Sequence, residues 1–205
     1  MIVITIMGTM AAMIAPGIGE FLADARASAA AEALVRISRH MQARTQQTGL
    51  AHLLVFTATS NDGSGGLGIV RVYEGMNNHC RQTPWKEAVD GTVENGHAPV
   101  DVLNMSSGEY NPAAGAPTAL DQNRQVIALN VVNTVGMTSA VICLEPGGTV
   151  WEGATASDVG AGYMFTKPPS TKGIKFSVSR KVNNVSRGVE RTVLFSTSGI
   201  ARFQF

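Results

Sequence analysis

The residues best suited to chemistry in this 205-residue chain are a histidine–cysteine pair and a glycine-rich run. His79 next to Cys80 could supply a base and a thiolate nucleophile, but neighbouring residues of an extended segment point to opposite faces. The run "GSGGLG" (63–68) has the spacing of a dinucleotide-binding turn, which requires a helix directly after it. The β-rich stretch "IVRVYEG" follows instead. We therefore expect a hairpin loop at this run and no catalytic pair.

The histidines and cysteines have no metal-ligand spacing. Cys80 and Cys143 lie far apart in the sequence and either form one disulfide or remain two buried thiols, depending on the compartment. The four histidines are scattered and are expected in solvated or capping roles: His40, His52, His79 and His97. We expect no enzymatic activity, no cofactor and no metal.

The elements that position these residues begin with an apolar N-terminal run. Residues 1–15 carry no charge, and Thr5 and Thr9 are their only polar side chains. As a helix this run is about 22 Å long, short of the roughly 30 Å hydrocarbon core of a bilayer. A cleaved signal peptide would have basic residues ahead of its apolar core, which this run lacks.

The helical pattern continues well beyond the apolar run. Apolar residues recur mostly three or four positions apart from Phe21 to Met41. Glu32 and Arg36 stand in the favourable order for a helical ion pair. Gly49 is typical of a helix stop. The pattern predicts one helix that ends just before Gly49.

Pro16 lies inside this helix. A proline removes one backbone hydrogen bond and costs about 3 kcal/mol in a rigid helix. Gly8, Gly17 and Gly19 weaken the same segment further. A helix of this composition can bend or melt locally.

The segment "MIVITIMGTMAAMIAPGIGEFLADARASAAAEAL" closely resembles the N-terminal helix of type IV pilins and type II secretion pseudopilins. Gly8 and Pro16 fall on the helix-weakening glycine and proline of that family. The resemblance implies that residues 1–22 form the membrane or filament core. It also implies helix-on-helix packing through six residues: Gly8, Ala11, Ala12, Ala15, Pro16 and Phe21.

The front of the segment departs from the family pattern. In the family a basic leader ends in a glycine, and a threonine and a glutamate lie between the cut and the apolar run. In this register the cut would fall about six residues before Met1. The chain is either given without its true beginning or is a member that cannot be processed. The first is favoured, because the apolar run reaches membrane length only with those residues restored.

In the remainder of the chain the apolar residues recur with a period of two, which is typical of strands. Seven runs predict strands: "LAHLLVFTAT", "LGIVRVYEG", "APVDVLNM", "RQVIALNVVN", "SAVICLEPGG", "GIKFSVSRKV" and "ERTVLFSTSGIARFQF". Residues 106–123 read as a long loop. The expected fold is α+β, with a helical domain at 1–48 packed on an antiparallel β-sandwich head at 49–205. "AVICLEPGGTVW" and "RTVLFSTSGIARF" resemble the heads of H-type pseudopilins and related minor pilins.

These resemblances imply a structural subunit, a minor pilin or a pseudopilin. Its partners would be other pilins or pseudopilins of one filament, the prepilin peptidase and the assembly platform. Before assembly it would sit in the inner membrane with a periplasmic head. There a Cys80–Cys143 disulfide would close a loop of about sixty residues and stabilise the head by about 4 kcal/mol. A membrane-anchored β-domain without a filament is the competing expectation.

The charge is uneven although the net charge is +1. Seven basic residues and one acidic residue lie between positions 170 and 205. Related competence pilins bind DNA through a C-terminal Gly-Arg-x-Arg turn, and here Ile200 replaces its first arginine after Gly199. Clustered charge alone can bind phosphates, so DNA contact is the alternative function; solubilising charge on strand edges is the favoured interpretation. The candidate DNA contacts are Arg180, Lys181, Arg187, Arg191 and Arg202.

Overall fold

The computed structural model contains one helix and ten strands in the part of the chain that it describes. That part is residues 2–57, 68–80, 99–105, 125–131, 139–153, 165–166, 173–182, 185–196 and 198–204. The helix is α1 (Ile2–Thr48). The strands are β1 (His52–Thr57), β2 (Ile69–Glu74), β3 (Asp101–Asn104), β4 (Gln125–Val131), β5 (Ser139–Leu144), β6 (Val150–Gly153), β7 (Phe165–Thr166), β8 (Ile174–Val182), β9 (Val185–Phe195) and β10 (Ala201–Gln204).

The helix α1 has 47 residues, which corresponds to about 70 Å. It runs without a break through Pro16. It ends where the sequence predicts, because Gly49 adopts a left-handed backbone with φ of 68°. The Gly49 N–H donates to the carbonyl of Thr45 at 3.1 Å, which satisfies one of the last carbonyls of the helix.

The head consists of two antiparallel sheets. One has the strand order β3-β2-β1-β5-β6-β7 and the other β10-β9-β8-β4. All seven predicted strand runs contain strands, and the last of them covers the second half of β9 and all of β10. The strands β1 and β2, on either side of the glycine-rich run, pair antiparallel as a hairpin requires. The predicted loop at 106–123 lies outside the described residues.

One core is shared by the helix and both sheets. Phe176 of β8 is fully buried, and its ring centroid lies 5.6 Å from that of Phe56 in β1 and 5.1 Å from that of Phe195 in β9. The edge-on contact of Phe176 with Phe56 joins one sheet to the other, and the contact with Phe195 links neighbouring strands of one sheet. The face that α1 contributes is rich in small side chains, which let the helix approach the sheets closely: Ala27, Ala30, Ala31, Ala33, Leu34, Ile37 and Met41. The expected α+β fold, a long helix packed on antiparallel sheets, is confirmed.

A second, smaller core covers the opposite face of the first sheet. Cys143 of β5 is fully buried there and forms a disulfide with Cys80, 63 residues earlier in the chain. The backbone N–H of Cys80 also donates to Glu145 Oε1 at 3.0 Å. The other buried members come from β1, β2, β5 and the residue before β1: Ala51, Leu53, Val55, Tyr73 and Val141. The disulfide therefore holds the segment that follows β2 against this face.

Candidate functional site

Three consecutive exposed residues of α1 precede the part of the helix that the head covers. Glu20 is exposed, Phe21 is 72% exposed and Leu22 is 46% exposed. Ala27 is the first residue with a buried side chain among those described. Two adjacent large apolar side chains left in solvent are typical of a contact surface.

Phe21 is the predicted helix-packing residue whose side chain the structure describes, and its exposure leaves it accessible to a partner. The helix backbone is continuous through the other five, but their surroundings lie outside the described part: Gly8, Ala11, Ala12, Ala15 and Pro16. Among the described residues, no helix combines the length and the apolarity of a membrane span.

The β8–β9 hairpin fastens α1 to the head just beyond this exposed segment. Arg180 Nε lies 3.7 Å from Asp24 Oδ1, and the Arg180 side chain is 7% exposed. One helical turn further on, Arg191 Nε donates to Ser28 Oγ at 2.8 Å. Gly188 packs beneath Asp24, because a Cβ at this glycine would lie 2.6 Å from Asp24 Oδ1. These contacts fix how α1 leaves the head.

A bulge in β9 makes this close approach possible. Val178 pairs with Arg191 and Arg180 pairs with Arg187, so β9 has two more residues than β8 between these pairs. The bulge contains Gly188, which has φ of 76°. A side chain at that position would be strained and would also displace Asp24.

Replacement of Gly188 by alanine is expected to destabilise the head by about 2 kcal/mol, because the left-handed backbone and the collision with Asp24 both disfavour a Cβ. Gly148→Ala is the matched control, since Gly148 has φ of 81° but open space around its Cβ position. Urea unfolding should show a loss of about 1 kcal/mol in the control. Equal losses in the two variants would contradict the close contact between the hairpin and α1.

Contacts with α1 occupy part of the basic cluster that supplies the candidate DNA contacts. Arg180 is buried against the helix, which leaves little of its side chain exposed for a phosphate contact. Its inward orientation follows from the alternation of β8, in which Phe176 and Val178 face the core. Arg191 is held by Ser28. The side chain of Lys181 lies outside what the structure describes.

The two remaining arginines of the cluster are exposed but well separated. Arg202 in β10 has Leu194 of β9 as its Cα partner. Leu194 lies seven residues along β9 from Arg187, which places the two arginines roughly 20 Å apart. They therefore do not form a compact phosphate-binding surface.

A buried polar cluster joins the C-terminal end of α1 to β1 and β2. His52 is fully buried, and its Nδ1 lies 3.1 Å from both the Leu50 carbonyl and Thr45 Oγ1. The Thr45 hydroxyl donates to the Met41 carbonyl at 2.7 Å. The hydroxyl oxygen is therefore free to accept, which assigns the proton of His52 to Nδ1.

Arg44 supplies the cation that pairs with the carboxylate of this cluster. Its Nε donates to Glu74 Oε2 at 3.2 Å. The same oxygen lies 3.5 Å from His52 Nε2, which makes no hydrogen bond in the described part of the molecule. Burial lowers the pKa of His52 below its ordinary value, and the Leu50 carbonyl and the Glu74 carboxylate offset this in part. The expected solvated or capping role is wrong for His52, which is a core residue.

The head is expected to lose stability in mild acid because of His52. The pKa of His52 is lowered in the folded protein, so as the pH falls His52 is protonated first in the unfolded chain. The free energy of unfolding is therefore at its full value above the ordinary histidine pKa of 6.5 and declines below it. Melting temperatures measured from about pH 8 to about pH 5 should fall, and His52→Gln should reduce the slope. Identical slopes in wild type and His52→Gln would contradict this assignment.

The histidine–cysteine pair has no nucleophile in this structure, because the Cys80 thiol is consumed in the disulfide. His79 is exposed, and its Nδ1 lies 3.9 Å from Glu145 Oε1. No group of three or more potential metal ligands from His, Cys, Asp and Glu occurs among the residues that the structure describes.

No family model and no curated protein matches this chain. Two solved structures align with most of it, and both are crystal structures of the type IV minor pilin FimU from Pseudomonas aeruginosa strain PAO1. One is 11% identical, with 90% of this chain and 92% of that chain covered and a TM-score of 0.43. The other is 10% identical, with 86% and 91% covered and a TM-score of 0.39. Identities and TM-scores this low show nothing about function, partners or sites.

Proposed function

We propose that the chain is a pilin-type structural subunit, a minor pilin or a pseudopilin, that assembles through α1 into a filament. The observation that supports this proposal is that α1 has an exposed segment followed by a part that the head covers. Its described buried side chains begin at Ala27, whereas Phe21 and Leu22, a short distance before, are exposed. In this helix of about 70 Å, the exposed side chains of residues 20–22 offer apolar surface for contacts between subunits, and the head covers the helix from Ala27 onward. The N-terminal sequence, with its apolar run, Gly8 and Pro16, supports the same role.

The disulfide supports a location outside the cytoplasm. A Cys80–Cys143 bond persists in an oxidising compartment such as the bacterial periplasm, and it is rare where thiols are kept reduced. Before assembly we place the head in the periplasm and the N-terminal part of α1 in the inner membrane; after assembly both belong to the filament. The alternative of DNA binding has less support, because two of the five candidate contacts are held against α1.

Replacement of Pro16 by alanine tests the role of the helix. Alanine restores the missing backbone hydrogen bond and stiffens a turn whose weakness lets the helix bend within a bundle. We expect roughly threefold less of the variant in sheared filaments at an equal amount of total protein. Gln46→Ala, at an exposed residue near the other end of α1, is the matched control and should assemble normally. Equal incorporation of Pro16→Ala and wild type would contradict the need for a weak turn.

A further inference from the structure

An open groove runs along α1 on the side where both sheets end. It has a volume of about 710 Å³, and it lies between the helix, β3 and β10. In the described residues β3 and β10 are the terminal strands of their sheets. The groove is lined by apolar side chains from all three elements, namely Ala33, Ile37, Val102, Leu103 and Phe203. Val102 is 49% exposed, so the apolar lining is accessible from solvent.

The rim of this groove carries two guanidinium groups. Arg36 and Arg39 are exposed on α1 and make no ion pair within the described part of the molecule. The helical ion pair of Glu32 with Arg36 that the sequence predicted is absent from the described contacts. The carboxylate of Asp101 is engaged by His40, whose Nδ1 lies 3.1 Å from Asp101 Oδ2. Glu32 also lines the groove, and the two arginines outnumber this one further carboxylate. A ligand that is apolar and carries a carboxylate therefore suits the groove.

Residues 20–22 of the chain combine a carboxylate with two large apolar side chains. The exposed Phe21 and Leu22 supply the apolar surface. Glu20 directly before them is exposed and has no ion-pair partner among the described residues. Phe21 and Arg36 are fifteen residues apart on one continuous helix, a separation of roughly 22 Å, so the segment cannot reach the groove of its own copy.

We propose that the groove of one copy receives segment 20–22 of a second copy, with Phe21 and Leu22 against the apolar lining and Glu20 facing Arg36 and Arg39. This contact rests on the proposed function and names the surfaces through which neighbouring subunits meet. The two surfaces are different, so each added copy leaves one groove unfilled, and the contact extends into an open chain instead of closing as a dimer. If the two helices run parallel, neighbouring copies are offset by roughly 22 Å along α1.

Photo-crosslinking of the full chain tests this contact. A benzophenone amino acid placed at Phe21 should give a dimeric adduct whose crosslinked peptide maps to the groove, at β3 or β10. The same group placed at Met76, which is 58% exposed on a segment that does not line the groove, should give no such adduct. An adduct that maps to another surface of the chain, or to a different protein, would overturn the proposal.

Exchanging the charges on the two surfaces distinguishes this specific contact from general apolar association. Glu20→Arg should reduce the crosslink at Phe21 about fivefold, and the further changes Arg36→Glu and Arg39→Glu in the same chain should restore it. Arg202→Glu, at an exposed arginine of the head, is the control and should change nothing. A crosslink insensitive to these changes would overturn the proposal. Incorporation of wild type into filaments is measured separately, so filaments that contain the chain without this crosslink would refute the groove contact while leaving the proposed function intact.

Discussion

Removal of the disulfide by replacing Cys80 and Cys143 with alanine should lower the free energy of unfolding by about 4 kcal/mol. The bond spans 63 residues of sequence, and in the chain-entropy model a loop of this length restricts the unfolded chain by that amount. The two residues also belong to the second core, where Cys143 is fully buried, so the variant loses packing as well. Urea unfolding of the oxidised wild type and of the double variant measures the difference.

Reduction of the wild type provides the control for this prediction. A thiol reductant should lower the urea midpoint of the wild type towards that of the double variant and leave the double variant unaffected. A midpoint of the wild type that does not respond to the reductant would show that the two thiols are unpaired in solution, contrary to the structure.

Replacement of Phe176 by alanine is the second change with a large expected effect, a loss of about 4 kcal/mol. Phe176 is fully buried and contacts the rings of Phe56 and Phe195, so truncation leaves a cavity where the two sheets meet. The edge-on ring contacts are lost in addition to the buried apolar area. Thermal or urea unfolding measures the loss.

Phe21→Ala is the matched control because it makes the same chemical change at a phenylalanine that is 72% exposed. Its stability should remain within about 0.5 kcal/mol of the wild type. Its incorporation into filaments should nevertheless fall, since Phe21 belongs to the surface assigned to subunit contacts. A stability loss in Phe21→Ala as large as that in Phe176→Ala would contradict the division of α1 into a covered part and an exposed part.

The sequence predicted the elements well because each has a clear local pattern. The period of the apolar residues and Gly49 indicated the end of α1, and alternation indicated the long strands. The strands β6 and β7 lie outside the seven predicted runs, and β7 has only two residues, too few for any period to be recognised. β9 and β10 were read as one run, although Gly199, with φ of 78°, marks the turn between them.

The contacts between distant elements were less predictable. The burial of Arg180 could have been inferred because it lies on the same face of β8 as Phe176 and Val178. Its approach to Asp24, however, depends on the bulge in β9. The burial of His52 also depends on packing, because its neighbours come from α1 and β2. The groove lies between three elements that are far apart in the sequence, and no local pattern could have indicated it.

The presence of the chain in filaments is the most direct test of the proposed function. Surface filaments are sheared from cells that produce the wild-type protein, purified away from membranes, and analysed by mass spectrometry and by immunogold labelling with an antibody to the head. We expect peptides of the head in the filament fraction and gold particles on the filaments or at their tips. A chain found in the envelope fraction alone, while filaments are present without it, would contradict the assignment as a filament subunit.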